Sequence, residues 1–247
     1  MSVDLKKLKV KLFADGAEID VMRQMAKNPL IKGFTTNPTL MRKAGVQDYE
    51  AFARQVISEF SEYPISLEVF ADDLEEMEAQ GRYLAKFGQN VYVKIPVTNT
   101  KSVSTAPIVR SLARDGVKLN ITAIMSLEQV REVADALSAD TPAYVSVFAG
   151  RVADTGRDPV PLMQESLRIL GSKPLLELLW ASPRELLNVF QADAMGCHVI
   201  TATKDILGKL GIVGKDLNEY SLETVKMFYD DACSAGYSLN CSANKAA

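Results

Sequence analysis

Eight times within about 210 residues the chain repeats one pattern, a short run of branched aliphatic or aromatic residues followed by a longer run with apolar residues at helical spacing. The short runs read as strands at residues 10–14, 31–35, 65–70, 91–95, 117–121, 143–148, 175–181 and 198–201. The intervening runs predict helices over 17–27, 48–60, 73–87, 106–114 and 126–138, then helices opening at 158, 182 and 205. Local chemistry agrees with several of these starts. Asp73, Glu75 and Glu76 suit a helix N-terminus and a solvated face. Ser126-Leu127-Glu128-Gln129 is a capping box, Asp158-Pro159 an N-cap with proline at the first helical position, and Ser182-Pro183 a further helix start.

Strict β-then-α alternation of this length argues for an α/β fold closed as a (β/α)8 TIM barrel. An open doubly wound sheet is the alternative. That fold usually carries a glycine-rich turn after its first strand, and Asp15-Gly16-Ala17 is not one. The glycines at 208, 211 and 214 do not fit a phosphate loop and read as turns. Beyond them, residues 221–235 form one more amphipathic helix, with Leu222, Val225, Met227, Phe228 and Tyr229 available to close the barrel bottom or to meet a neighbouring subunit. The expectation is a single barrel domain over 1–237 with this extra C-terminal helix. Residues 238–247, small and polar, are expected to fray as a flexible tail.

The totals exclude several classes. A net charge of −3 disfavours a dedicated nucleic-acid or anionic-membrane binder. No apolar run reaches 18 residues, so no transmembrane helix is expected. The N-terminal segment lacks the apolar stretch of a signal peptide, which makes cytoplasmic residence the default. Cys197, Cys233 and Cys241 are odd in number and without metal-ligand spacing, and read as reduced thiols. A lone His198 cannot make a histidine-rich metal site, and its apolar neighbours suggest a core position. No metal and no cofactor are called for.

Within this frame the run Val91-Tyr92-Val93-Lys94-Ile95-Pro96 stands out. Residues 91, 93 and 95 form one apolar face, and Lys94 points the other way with Tyr92. Desolvating an ammonium there is costly and favours the neutral amine, a nucleophile toward ketones and aldehydes. The plainer alternative is a lysine paired with a buried carboxylate or guarding a strand edge. In such a barrel the chemistry sits at the carboxyl ends of the strands. Those ends supply Asp15, Thr35-Thr36-Asn37, Glu68, Lys94, Asn120 with Thr122, Ser146, Ser182 with Arg184, and Thr201. Each has an ordinary explanation. Asp15, Thr36, Asn37 and Ser182 are turn formers or helix caps, Thr122 and Thr201 β-formers, and Glu68 a counter-ion for Lys94. Together they read as a catalytic mouth. With no catalytic histidine, metal cluster or dinucleotide loop, an amine, two carboxylates and several hydroxyls suit Schiff-base chemistry, with Asp15, Glu68 and Thr122 as the proton-handling candidates. Ser182, Arg184 and Arg151 also read as an anion clamp at a helix start, against a plain capping box from Ser182 to Glu185 with Arg184 in solvent.

Seven pieces in order carry a resemblance: Phe13-Ala14-Asp15, Thr35-Thr36-Asn37-Pro38, Leu67-Glu68-Val69, Val93-Lys94-Ile95-Pro96, Leu119-Asn120-Ile121-Thr122, Ser146-Val147-Phe148-Ala149-Gly150-Arg151 and Ala181-Ser182-Pro183-Arg184. They resemble the transaldolase family, in its compact type close to the fructose 6-phosphate aldolases. The resemblance implies a Lys94 Schiff base with a ketose phosphate and transfer of a dihydroxyacetone unit to an aldose phosphate, as from fructose 6-phosphate to erythrose 4-phosphate in the pentose phosphate pathway. It implies Asp15 as acid/base on the C4 hydroxyl, and Glu68 and Thr122 acting through a water. Thr36, Asn37, Asn120, Ser146, Phe148, Arg151, Ser182 and Arg184 become the substrate-binding set, the last two with Arg151 on the phosphate. Sugar phosphates are the implied partners, and assembly as a homo-oligomer through the last helix is expected. The related aldolases tend to carry glutamine at the position of Glu68 and tyrosine at that of Phe148, so these two residues favour transfer over release. A Schiff-base aldolase and a non-catalytic sugar-phosphate-binding barrel are the alternatives. Asp15-Gly16-Ala17-Glu18, where a threonine or serine commonly follows the aspartate, and the stretch 211–229 depart from the family pattern.

Overall fold

A computed structural model describes residues 4–239. Its strands are β1 (Lys11–Asp15), β2 (Ile31–Thr35), β3 (Ile65–Glu68), β4 (Val91–Pro96), β5 (Leu119–Ile124), β6 (Ala143–Val147), β7 (Leu176–Trp180) and β8 (Val199–Thr203). All pair in parallel, in sequence order, and β8 returns to β1, so the sheet is a closed barrel. The helices are α1 (Ile19–Ala26), α2 (Pro38–Lys43), α3 (Tyr49–Glu59), α4 (Leu74–Ala85), α5 (Ala106–Arg114), α6 (Leu127–Ala136), α7 (Ala149–Asp154), α8 (Val160–Leu170), α9 (Leu187–Met195), α10 (Lys204–Gly208) and α11 (Leu217–Ser234). The expected (β/α)8 barrel is the observed one. Among the described residues no helix is long and apolar enough to cross a membrane.

Period-two alternation explains the core. The outward faces of the strands, such as Val91, Val93 and Ile95, are buried beneath helices. α5 turns Ile108, Val109, Leu112 and Ala113 inward at helical spacing. Inside the barrel, Phe13, Tyr144, Leu179 and Val199 form a separate cluster with Tyr92 packed against it. The Phe13 and Tyr144 rings meet edge-on at 5.5 Å, and Tyr92 lies 4.4 Å from Tyr144. Gly33 makes room for this layer, since a Cβ there would lie 2.6 Å from the Phe13 ring. The next inward-facing position along β4 above Tyr92 is Lys94.

Several expected boundaries move. The expected helix at Ser182 does not form; α9 starts at Leu187, and Ser182 to Glu185 is an irregular segment. The Ser182–Glu185 capping box is therefore absent. Asn188 Oδ1 instead accepts the backbone N–H groups of Arg184 and Glu185 at 2.8 and 3.1 Å. α8 begins at Val160, where Asp158 accepts the Val160 N–H at 2.9 Å, with Pro159 ahead of the first turn. The Ser126–Gln129 capping box is present. α2 and α7 are short helices that the apolar pattern did not reveal. His198 is half-buried and accepts the Leu178 N–H at 2.9 Å, where a core position was expected.

Contacts divide the described residues into two compact units, the barrel from Asp4 to Leu210 and a second unit over 211–239. In the second unit Asp216 caps α11 by accepting the Asn218 and Glu219 N–H groups. Lys215 pairs with Glu223 and stands 4.8 Å from the Tyr220 ring centroid. No α11 residue is buried, and Leu222, Val225, Phe228 and Tyr229 are exposed. Of the expected tail, Ser238 and Leu239 are exposed, and 240–247 lie outside the described residues.

Candidate active site

The carboxyl ends of the strands open into a cavity of about 570 Å³. Lys94 stands at its floor and is buried. The parallel register sets Glu68 of β3 and Asn120 of β5 beside it. Its Nζ lies 2.9 Å from Glu68 Oε2 and donates to the Thr36 carbonyl at 3.0 Å. Both the inward lysine and the paired carboxylate of the plainer alternative are therefore present, as one buried ion pair.

Asp15 ends β1 on the same cavity wall. Thr35 Oγ1 donates to its Oδ1 at 2.7 Å and lies 2.6 Å from Thr201 Oγ1. Thr35 has one proton to give and gives it to Asp15, so Thr201 donates to Thr35. Burial pushes the Asp15 carboxyl above the usual carboxylate range, against the Lys94 charge and the Thr35 hydrogen bond, which lower it.

Behind the lysine a second chain of hydrogen bonds runs inside the barrel. Ser146 donates to Asn120 Oδ1 at 2.6 Å, and Asn120 Nδ2 donates to Ser66 Oγ at 2.8 Å. Thr36 is fully buried and does not line the cavity; its hydroxyl donates to the Ser66 carbonyl at 2.9 Å. Asn37 lines the cavity and caps α2 through the Leu40 N–H at 3.0 Å. Thr122 also faces the cavity, and its hydroxyl is buried without a hydrogen-bond partner among the described residues. A buried hydroxyl without a partner, on a residue that borders a polar cavity, is one that a water or a substrate oxygen would satisfy.

The cavity wall built by β6, α7 and the segment after β7 holds Phe148, Arg151, Ser182 and Arg184. The Arg151 guanidinium stands 5.7 Å from the Phe148 ring centroid. Arg184 is not free in solvent; Asp154 grips it through two hydrogen bonds, one of them 2.9 Å from Nε to Oδ1. The expected free N–H groups of a helix start are absent here, because Asn188 occupies them. Three non-glycine residues among those described have positive φ, and two of them, Ala123 at 63° and Ser182 at 58°, line this cavity. Such backbone costs energy and concentrates at functional sites.

Sequence reasoning thus named most of the lining, and the structure brings all of it except Thr36 to one cavity. It missed Lys43 in the lining, and behind the lining Ser66 and Asp154, which bond to Asn120 and Arg184. Ser66 had a signal, the inward face it shares with Glu68 on β3. Asp154 had another, lying three positions after Arg151 on α7. Lys43 lies on α2, a helix too short to show in the apolar pattern.

A closed parallel barrel with a lysine, two carboxylates and two arginines converging at its carboxyl mouth is the architecture of a barrel enzyme acting on a small anionic substrate. Comparison with known proteins narrows this. The family model described as transaldolase/fructose-6-phosphate aldolase matches residues 12–245. A probable transaldolase of Methanococcus maripaludis strain C5 is 35% identical over 204 residues, covering 81% of this chain and 89% of its own. One from Thermoanaerobacter sp. is 32% identical over 218 residues, covering 88% and 95%. The chain belongs to the transaldolase/fructose-6-phosphate aldolase family. Among solved structures, KGPDC from Streptococcus mutans shares the fold with a TM-score of 0.55 at 9% identity, covering 81% of this chain and 90% of that one. Native KDPGal does so at 0.52 and 11%, covering 82% and 85%.

Proposed function

We propose that this chain is a transaldolase that moves a dihydroxyacetone unit between sugar phosphates through an imine on Lys94. The observation that carries the reading is the Lys94–Glu68 ion pair at the cavity floor, with Asp15 on the same wall. Glu68 takes the ammonium proton. The free amine adds to the C2 carbonyl of a ketose phosphate, and the carbinolamine loses water, with Glu68 and Thr122 relaying protons. The iminium then accepts the electron pair of the C3–C4 bond as Asp15 removes the C4 hydroxyl proton, and an aldose phosphate leaves. The enamine carbon attacks the aldehyde of the incoming aldose phosphate, Asp15 returns the proton, and hydrolysis frees the new ketose. The raised Asp15 carboxyl suits a group that must hold and return a proton.

Asn37, Asn120 and Ser146 hold the dihydroxyacetone hydroxyls in this reading, Thr36 fixes the amine through its carbonyl, and Arg151, Ser182 and Arg184 take the phosphate. Phe148 adds no hydroxyl to the cavity, which favours transfer over release of free dihydroxyacetone. Borohydride trapping with fructose 6-phosphate is the test. A stable mass increase on the Lys94 peptide is expected, and a Lys94→Ala variant should fold and transfer nothing. No adduct removes the mechanism and leaves a binding barrel, whereas retained transfer by that variant rejects Lys94 as the nucleophile.

The reading includes a cytoplasmic location and a homo-oligomer assembled through the exposed apolar residues of α11. A sedimentation mass equal to one chain removes the assembly.

A further inference from the structure

The two arginines of the anion corner are held differently. Arg151 stands over an aromatic ring, whereas Arg184 is gripped by a carboxylate that terminates α7. Asp154 Oδ1 accepts from Arg184 Nε at 2.9 Å and Oδ2 accepts from Nη2. A guanidinium carries five N–H bonds in one plane. This grip uses the Nε–Nη2 edge and leaves the Nη1–Nη2 edge for a second two-point contact, the kind that matches two oxygens of a phosphate.

The pair is not there chiefly for stability. Its side chains are 47% and 52% exposed, and an exposed pair is worth about 1 kcal/mol or less. Arg184 lies outside α9, which begins only at Leu187, and Asn188 of that helix holds its backbone N–H but not its guanidinium. The segment also rests on α7. A Cβ on Gly150 would lie 1.5 Å from the Ser182 carbonyl oxygen, and the Gly150 N–H donates to the Ala181 carbonyl at 3.4 Å. Only glycine lets the segment after β7 rest on the first turn of α7. That contact brings Arg184 within reach of Asp154, while Arg151, one turn earlier on the same helix, faces the same cavity.

We propose that Asp154 is a positioning residue for phosphate selectivity: it holds Arg184 with one edge so that the other faces the substrate phosphate. This rests on the reading of the corner as the phosphate site. Without Asp154 the arginine must be immobilised when substrate binds, and that ordering weakens the complex. The effect is confined to phosphorylated substrates, because the carboxylate does not line the cavity and reaches it only through Arg184.

The test is the concentration of sugar giving half-maximal borohydride trapping at Lys94, measured with fructose 6-phosphate and with fructose. Asp154→Ala should raise it about tenfold for the phosphate ester, the scale of one charge-assisted hydrogen bond, and leave it within about twofold for fructose. Arg184→Ala should do the same, and the double variant should be no worse than Arg184→Ala alone, since Asp154 acts through that side chain. Dihydroxyacetone trapping reports that each variant retains a working amine. If Arg184→Ala lowers the preference for the phosphate ester but Asp154→Ala does not, or if the two losses add, the positioning role is wrong while the phosphate corner stands. If Arg184→Ala leaves the preference unchanged, the corner does not bind phosphate and both fall.

Discussion

Lys94 and Glu68 are neighbours in register on β4 and β3, and their charged atoms meet at 2.9 Å with the two side chains only 8% and 14% exposed. An ion pair this buried serves two ends. It compensates the desolvation of the ammonium, and in the proposed mechanism it stations a base on the proton that must leave before the amine can attack. Removing the carboxylate therefore harms both. Glu68→Ala should lose about 3 kcal/mol of stability, at the lower edge of what breaking a buried pair costs. Its imine should form about a hundredfold more slowly, the lower range for a lost acid–base group. Urea unfolding and the time course of borohydride trapping measure the two effects, and wild-type trapping rates in a folded Glu68→Ala would leave the carboxylate with only a structural part.

The Thr201-to-Thr35-to-Asp15 chain makes a pH prediction with a definite sign. The Thr35 hydrogen bond favours the ionised carboxyl, opposing the burial that raises it. Thr35→Val keeps the shape of the side chain and removes the donor. The Asp15 carboxyl should move further up, and the acid limb of kcat/KM should shift to higher pH; Thr35→Ser, which restores a donor, should bring it back. Thr201→Val should move it less, because it acts one bond further away. A limb that stays in place in Thr35→Val would mean that the acid limb reports a group other than Asp15.

The same burial makes Asp15 a cost to the fold. Its carboxyl is raised in the folded state, so the folded protein holds that proton more tightly than the unfolded chain does. The stabilising contribution is fully present below the unfolded carboxyl value near 3.8 and is lost as pH rises through the raised folded value. Near neutral pH, Asp15→Asn should therefore be inactive yet melt no lower than the wild type. Any advantage of the asparagine should narrow as the buffer is acidified through the folded value. A marked drop in melting temperature at neutral pH would contradict this and give Asp15 a structural role.

What could be read from the chain itself follows how physical constraints leave traces. Each inward strand residue alternates with buried aliphatics, so Lys94, Glu68, Asn120 and Thr122 could be placed from spacing alone. The short helices α2 and α7 left no such trace. Six residues hold too few apolar positions to establish a period, which is why Lys43 and Asp154 passed unnoticed. Ser182 misled for a specific reason. Serine before proline is a fair helix start, but the Ser182 carbonyl rests against Gly150 with φ at 58°, and Asn188 takes over the N–H groups that a cap would have bound. That contact joins residues more than thirty positions apart, and no local pattern encodes it.

Phe148 offers the sharpest separation of transfer from release. It follows β6, its backbone N–H donates to the Ile124 carbonyl at 2.8 Å, and its ring borders the cavity beside Arg151. In the proposed mechanism the dihydroxyacetone enamine left after the first aldose departs can meet an acceptor aldehyde or be protonated and hydrolysed. An apolar ring on the wall supplies no proton for the second route. Phe148→Tyr places a phenol there, able to donate to the enamine carbon directly or to order a water that does so. Free dihydroxyacetone formed from fructose 6-phosphate without acceptor should rise about tenfold, and transfer to erythrose 4-phosphate should fall relative to it. An assay coupling free dihydroxyacetone to its reduction reads the first quantity, and ketose formation reads the second. If the phenol leaves both rates unchanged while the protein remains folded, the ring at 148 does not govern how the intermediate partitions, and the preference for transfer must originate at Glu68 or in the speed with which the acceptor arrives.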